Sequence, residues 1–152
     1  AVLLILVLEK PLSNIYWLNI ADRTIPFVGI IEHTNMIDNS LYGNKHIVYI
    51  TNYVTRDSEI YLSKGAELLK TFIPHLKTIN PDFEDSWIVE YYHHKIDAAQ
   101  PIVETNYSSQ IPDHITPLNG LYLANTSQIY PEDRGTNYSV RLGNHLSAII
   151  ND

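Results

Sequence analysis

Short apolar and β-branched stretches, separated by polar breaks, dominate the first half of this chain. Val2 to Leu8 is an uninterrupted apolar run of strand length and reads as a buried strand. Ile15 to Ala21, Phe27 to Thr34, His46 to Val54, Trp87 to Ile96 and Leu121 to Ala124 are further strand candidates, several of them setting tyrosine beside isoleucine or valine. Aromatic and β-branched side chains pack well on a pleated surface, which is why these segments predict strands. Asp22-Arg-Thr, Asn39-Ser and Tyr42-Gly-Asn-Lys are polar or glycine-bearing breaks, so Ile15 to Val54 reads as an antiparallel meander.

Between the meander and Trp87 the period changes. Ser63 is placed to cap a helix in which Leu68, Leu69, Phe72, Ile73, Leu76 and Ile79 recur at helical spacing, and one face of it should be buried. Pro74 removes an amide donor and crowds the preceding turn, which predicts a kink or a restart near Phe72; Asn80-Pro81 stops the helix. Prolines and weak periodicity from Ala98 to Asn119 mark a connector. A last unit begins near Gly120. In it Thr136 or Asn137 caps a final helix with Tyr138, Leu142, Leu146 and Ile149 in one stripe and Ile150 at its edge.

Composition narrows the function classes. At 152 residues and 45% hydrophobic content, the chain has the size of about one domain and can fill a core. Ten Lys+Arg against seventeen Asp+Glu give a net charge of -7, which disfavours a phosphate-tracking surface and so a nucleic-acid partner. With no cysteine, thiolate catalysis, disulfides and Cys-ligated metal sites drop out, and a cytoplasmic setting is the default expectation. Val2 to Leu8 lacks the cationic n-region and the small-residue cleavage site of a signal peptide and is too short to span a bilayer. A first residue already inside an apolar strand leads to the expectation that the chain is a piece of something longer.

The candidate chemistry concentrates at the end of the chain. Leu121-Tyr-Leu-Ala124 is a short apolar run followed by small and polar residues, the pattern of a strand emerging at the ligand edge of an α/β sheet, with Asn125 where it ends. If Gly135-Thr-Asn137 opens a helix, its free amides and the positive end of the helix dipole suit a phosphate or an electron-rich carbonyl, and Gly135 permits close approach. An ordinary capped helix accounts for the same residues.

The stretch Gly120-Leu-Tyr-Leu-Ala-Asn-Thr-Ser-Gln-Ile-Tyr-Pro-Glu-Asp-Arg-Gly-Thr-Asn-Tyr-Ser-Val-Arg-Leu-Gly143 resembles the C-terminal end of FAD-dependent oxidoreductases of the amine oxidase and protoporphyrinogen oxidase type. Ile15-Tyr-Trp-Leu-Asn-Ile-Ala-Asp22, Pro26-Phe-Val-Gly-Ile-Ile-Glu-His-Thr-Asn35, Lys77-Thr-Ile-Asn-Pro81 and Ala99-Gln-Pro101 resemble the same group, so the similarity covers nearly the whole chain. The resemblance implies an α+β substrate domain, an antiparallel sheet with helices on one face, over residues 1–116, and a terminal strand and helix returning to the FAD domain over 117–152. It also implies a small-molecule substrate oxidised by FAD, and a partner in the N-terminal FAD-binding half of a parent chain. No Gly-x-Gly-x-x-Gly occurs here, so the fragment is expected to be inactive alone, to bind FAD weakly, and to self-associate through exposed apolar surface.

Carried over by position, Ala124 and Asn125 match the family's small-acidic pair at the strand end, with Asn removing the acid's charge. Arg134, Gly135, Thr136, Asn137 and Tyr138 match the loop and first turn whose amides would approach the flavin's pyrimidine edge, where they stabilise negative charge on the reduced ring. Tyr16, Trp17, His33 and Asn35 are expected to line the substrate cavity. Tyr16 and Trp17, with Tyr91 and Tyr92, read either as an aromatic pocket of the kind amine oxidases set around the flavin or as core packing; His33 and Asn35, beside Glu32 and Thr34, read either as a polar patch lining the cavity or as a half-exposed strand end.

The remaining titratable groups point elsewhere. His93 and His94 are adjacent, so a strand sends them to opposite faces and joint ligation of one metal is disfavoured; no metal site is expected. His46, His75, His114 and His145 show no partner pattern. Asp82, Glu84 and Asp85 follow a helix stop and read as a solvated loop, with a small hydrolase as the remote alternative. Asp133 beside Arg134 is a surface pair or shapes the flavin loop. No Gly-x-Ser-x-Gly context accompanies any Ser, His and Asp set. A non-catalytic α+β binding or assembly module is the alternative from a different class.

Overall fold

The computed structural model describes residues 1–151. The architecture is α+β: a five-stranded antiparallel sheet and three α-helices, in two compact units, Ala1–Ala99 and Gln100–Asp152. The division falls earlier than the expected one at 116/117, because the proline-bearing connector folds with the C-terminal residues. No helix of the described residues is long and apolar enough to cross a membrane.

The first unit holds β1 (Val2–Leu8), β2 (Trp17–Asn19), β3 (Gly29–Glu32), β4 (His46–Asn52) and β5 (Ile88–Lys95), in the spatial order β2-β3-β4-β1-β5. The meander β2-β3-β4 is the one that the polar breaks predict. Only the tertiary pairing places β1 in the middle, antiparallel to β4 along its whole length and to β5 on its other side. A strand with neighbours on both edges leaves no backbone group for water, which suits the continuous apolar run there. β2 and β3 are shorter than their apolar segments, since His33–Asn35 turns into a 3-10 helix directly after Glu32.

One sheet face is covered by a helix. α1 (Glu59–Leu62) is a single turn capped by Ser58, whose hydroxyl accepts the Tyr61 amide at 3.2 Å. Ser63 closes α1 by donating to the Glu59 carbonyl at 2.7 Å, and does not cap the longer helix as expected. α2 (Gly65–Ile79) starts after Lys64, whose amide is taken by the Glu67 carboxylate at 2.9 Å. It continues through Pro74 as one element, with no restart near Phe72. Pro74 lies on the exposed side, where water can satisfy the carbonyl that the missing amide frees.

Leu68, Phe72 and Leu76 of α2 are buried at a spacing of four, against Leu4, Leu6 and Leu8 of β1 and Val48 and Ile50 of β4. Phe27 meets Phe72 edge-on with ring centroids 5.0 Å apart. Each such fully buried side chain contributes about 1.5–3 kcal/mol relative to exposure, so this layer dominates the unit's stability. Asn80 ends α2 and ties it to the loop after β1, its amide donating to the Leu12 carbonyl at 2.8 Å.

The second unit is built differently. Among the unit's described residues the one α-helix, α3 (Thr136–Asn151), has no buried residue, and Tyr107 and Ile129 are the buried hydrophobic side chains. The expected stripe is present, since Tyr138, Leu142, Leu146 and Ile149 are the half-buried positions of α3, yet it is only half covered. The strand expected at Leu121 to Ala124 does not form. A single antiparallel bridge, Ile115 to Tyr122, stands in its place, and Leu121 is exposed. A strand exists only through a ladder with a neighbour, and no strand of this unit offers one.

Candidate functional site

Alternation along each strand sorts the sheet into two faces, and register aligns them across the strands. Val2, Leu4, Leu6 and Leu8 face α2, so Leu3, Ile5 and Val7 face away from it. On this uncovered side the pairings Trp17–Ile31, Ile31–Tyr49, Tyr49–Ile5 and Ile5–Tyr92 form one continuous row across all five strands. Four inter-strand spacings make the row roughly 19 Å long. Trp17 is 57% exposed and Tyr92 50% at its two ends, with the three central residues half-buried. Such a row offers flat apolar contact area to a ligand, with polar groups close by for orientation.

Those polar groups are identifiable. Trp17 Nε1 donates to Asn19 Oδ1 at 2.9 Å, which holds the indole on the sheet. His33 Nε2 lies 2.7 Å from the Tyr42 hydroxyl, and its ring stands edge-on to Tyr42 at 5.3 Å and to Tyr49 at 6.0 Å. Of the expected cavity residues, His33 borders Tyr49 directly, while Trp17 lies on the same row with Ile31 between it and Tyr49. Tyr16 precedes β2 in a bend, half out in solvent, and its carbonyl accepts the Glu32 amide at 2.8 Å. Asn35 is drawn into tethering the chain, donating to the Ser13 carbonyl at 3.1 Å. Tyr91 and Tyr92 point to opposite faces, so no four-membered aromatic pocket forms; Trp17 and Tyr92 are the far ends of the row.

Glu32, expected beside His33 in a polar patch lining the cavity or at a half-exposed strand end, points inward and is fully buried. Its Oε1 accepts the Leu12 amide at 3.0 Å, and its Oε2 accepts the Ser13 amide at 2.7 Å and the Ser13 hydroxyl at 3.2 Å. Burial raises its pKa, against the lowering by these donors. His46 Nδ1 sits 4.0 Å from Glu32 Oε1 with no hydrogen-bond partner, and burial lowers the imidazole's pKa. Glu32 alone anchors the loop after β1, and His46, opposite Leu8 at the end of that strand, lies beside it. The available signal was parity: Glu32 is two residues after Ile30, and both must share the helix-covered face.

In the second unit most expected cofactor contacts have local partners. Ala124 is exposed. Asn125 caps the 3-10 turn Thr126–Gln128: its Oδ1 accepts the Ser127 amide at 2.9 Å, and its own amide donates to Gln128 Oε1 at 2.8 Å. The Arg134 amide donates to Asp133 Oδ1 at 2.8 Å, and its Nη1 to Gln100 Oε1 at 3.4 Å. The first turn of α3 is different. The amides of Tyr138 and Ser139 go to the Gly135 carbonyl, while those of Thr136 and Asn137 donate to no described group. A Cβ at Gly135 would lie 2.6 Å from Asn137 Oδ1, the free end of an exposed side chain that can turn away, so space alone does not demand glycine there.

Two free amides at a helix start fit the electron-rich edge of a flavin; the Asn125 side chain, engaged in its own turn, does not. Beside the first turn of α3, Tyr130, Glu132, Tyr138, Arg141 and His145 help line a cleft of about 410 Å³. Arg141 pairs with Glu132 at 2.8 Å and lies 4.6 Å over the Tyr138 ring, so its charge is balanced within the cleft. His93 and His94 diverge to opposite faces of β5, His93 packing toward Gly65. Asp82, Glu84 and Asp85 are exposed, with Asp85 paired to Lys77 at 2.8 Å and Glu84 accepting from Ser86 at 3.0 Å. No protein-family model, curated protein or solved structure matches the chain.

Proposed function

We propose that this chain is the substrate-binding part of a flavin-dependent oxidoreductase of the amine oxidase and protoporphyrinogen oxidase type, with a terminal segment that completes the FAD-binding part. The observation that carries the reading is the mismatch in the second unit. Leu121-Tyr-Leu-Ala124 has a strand's sequence and no sheet to join, and the α3 stripe is half covered. Both features are those of elements that finish a fold begun elsewhere. The family resemblance names that fold.

In this reading the open row from Trp17 to Tyr92 is the apolar wall on which a small organic substrate rests, and His33 with Tyr42 orients its polar end. The open amides of Thr136 and Asn137 would hold the flavin's pyrimidine edge, with Tyr138 beside them. FAD supplies the redox step by accepting a hydride or its equivalent; the residues of this chain bind, orient and exclude water. Titrating the purified chain with FAD and following flavin fluorescence tests the division of labour. No tight binding is expected from this chain alone, and one FAD per chain when a Gly-rich βαβ unit is present in the same polypeptide. Stoichiometric binding by the chain alone would refute the reading.

A further inference from the structure

β5 is an edge strand, and its hydrogen-bonding pattern shows which groups it leaves free. Ala1 and Ile96 exchange both of their backbone bonds, Ala1 N to Ile96 O at 2.7 Å and Ile96 N to Ala1 O at 2.9 Å. In an antiparallel ladder such pairs alternate, so His94 and Tyr92 also bond to β1, and the amides and carbonyls of Tyr91, His93 and Lys95 face outward. None of these outward groups has a backbone partner among the described residues. The strand carries no proline, and its irregularity at Val89, between the Val7 and Leu8 pairings, leaves Glu90–Lys95 regular. A regular edge of this length is a template for another strand.

We propose that the partner is a second copy of this chain, joined β5 to β5 about a two-fold axis at Tyr92. A two-fold axis perpendicular to a sheet keeps each side chain on its own face, so only registers that pair residues of equal parity are allowed. Centred on Tyr92, the register sets Glu90 opposite His94 of the second copy, Tyr91 opposite His93, and Tyr92 opposite itself. Each acid then meets an imidazole, and the outward groups of Tyr91 and His93 bond one another. Moving the centre to Glu90 places two carboxylates face to face; moving it to His94 places two imidazoles there. Tyr92 already donates its hydroxyl to Glu90, so the central pair is held side by side on the open face. The joined sheet also runs the two apolar rows end to end.

The chain has no cysteine, which makes a cross-linking test specific. At a pair that is not hydrogen-bonded the Cα atoms approach to about 4.5 Å, within disulfide range. Under mild oxidation the Tyr92→Cys variant should form a covalent dimer. Glu90→Cys and His94→Cys should each fail alone and cross-link when mixed. By sedimentation, Glu90→Lys should weaken the dimer about ten-fold, and the exchange Glu90→Lys with His94→Glu should restore it to within about three-fold. Circular dichroism of each variant checks the fold. A monomer at high micromolar concentration, equal cross-linking by all three single variants, or a dimer that Tyr92→Cys does not trap would overturn the proposal. None of these outcomes depends on flavin binding.

Discussion

Replacing Glu32 isolates the one buried charge in the core of the first unit. In Glu32→Ala, the Leu12 amide loses its acceptor in a place that water does not reach, since Leu12 is 1% exposed. An unsatisfied buried amide costs about 1–3 kcal/mol, and hydrogen bonds to a charged acceptor contribute about 1.5–3 kcal/mol each. Ser13 is only partly buried, so its amide and hydroxyl recover some of their loss to water. Removal of a carboxylate whose burial is itself unfavourable offsets another part. The net expectation is a loss of about 2–4 kcal/mol in urea unfolding, with the loop after β1 opening first in hydrogen exchange. Glu32→Gln keeps the shape but turns an NH2 group toward one of the donors, and should cost about 1–2 kcal/mol. If both variants unfold within about 0.5 kcal/mol of the wild type, the carboxylate does not anchor that loop.

The same pair gives a pH dependence with opposed signs. Glu32's raised pKa means that the folded chain holds its proton more tightly than the unfolded chain, so this group's contribution is fully present below 4.5 and is lost as pH rises through the folded value. His46's lowered pKa acts the other way: its contribution is present above 6.5 and is lost as pH falls through the folded value. Stability of His46→Leu, followed by thermal unfolding from pH 7.5 to 5, should therefore fall less on acidification than that of the wild type. Gly65→Ala should destabilise by about 1 kcal/mol although helical Gly→Ala usually stabilises, because the new Cβ would lie 2.9 Å from His93 Cβ; adding His93→Ala should not rescue it, since that atom remains. Trp17→Ala removes a side chain that is mostly in solvent, so its free energy of unfolding in urea should change by no more than about 0.5 kcal/mol, whereas the proposed function requires weaker substrate binding by the same variant.

Much of this protein was legible from local pattern. The α2 stripe of Leu68, Phe72 and Leu76, the α3 stripe from Tyr138 to Ile149, and the meander of β2, β3 and β4 each come from short-range periodicity, which is a property of neighbouring residues. So does the divergence of His93 and His94. Of the candidate site, Trp17 and His33 were found because aromatic and imidazole groups stand out in an apolar strand. Tyr49 and Tyr92 join them only through register, which links residues far apart in the chain.

What the sequence alone determined is which segments have a strand's or a helix's face and which side of each is apolar. Tertiary structure decided the rest, because a face acquires meaning only from the element placed against it. It put β1 between β4 and β5, turned Glu32 inward onto the Leu12–Ser13 loop, and left one side of the sheet open. It also left Leu121 to Ala124 without a ladder, although the same residues read as a strand. Apolar periodicity prepares a segment for pairing, but backbone hydrogen bonds to a second segment make it a strand.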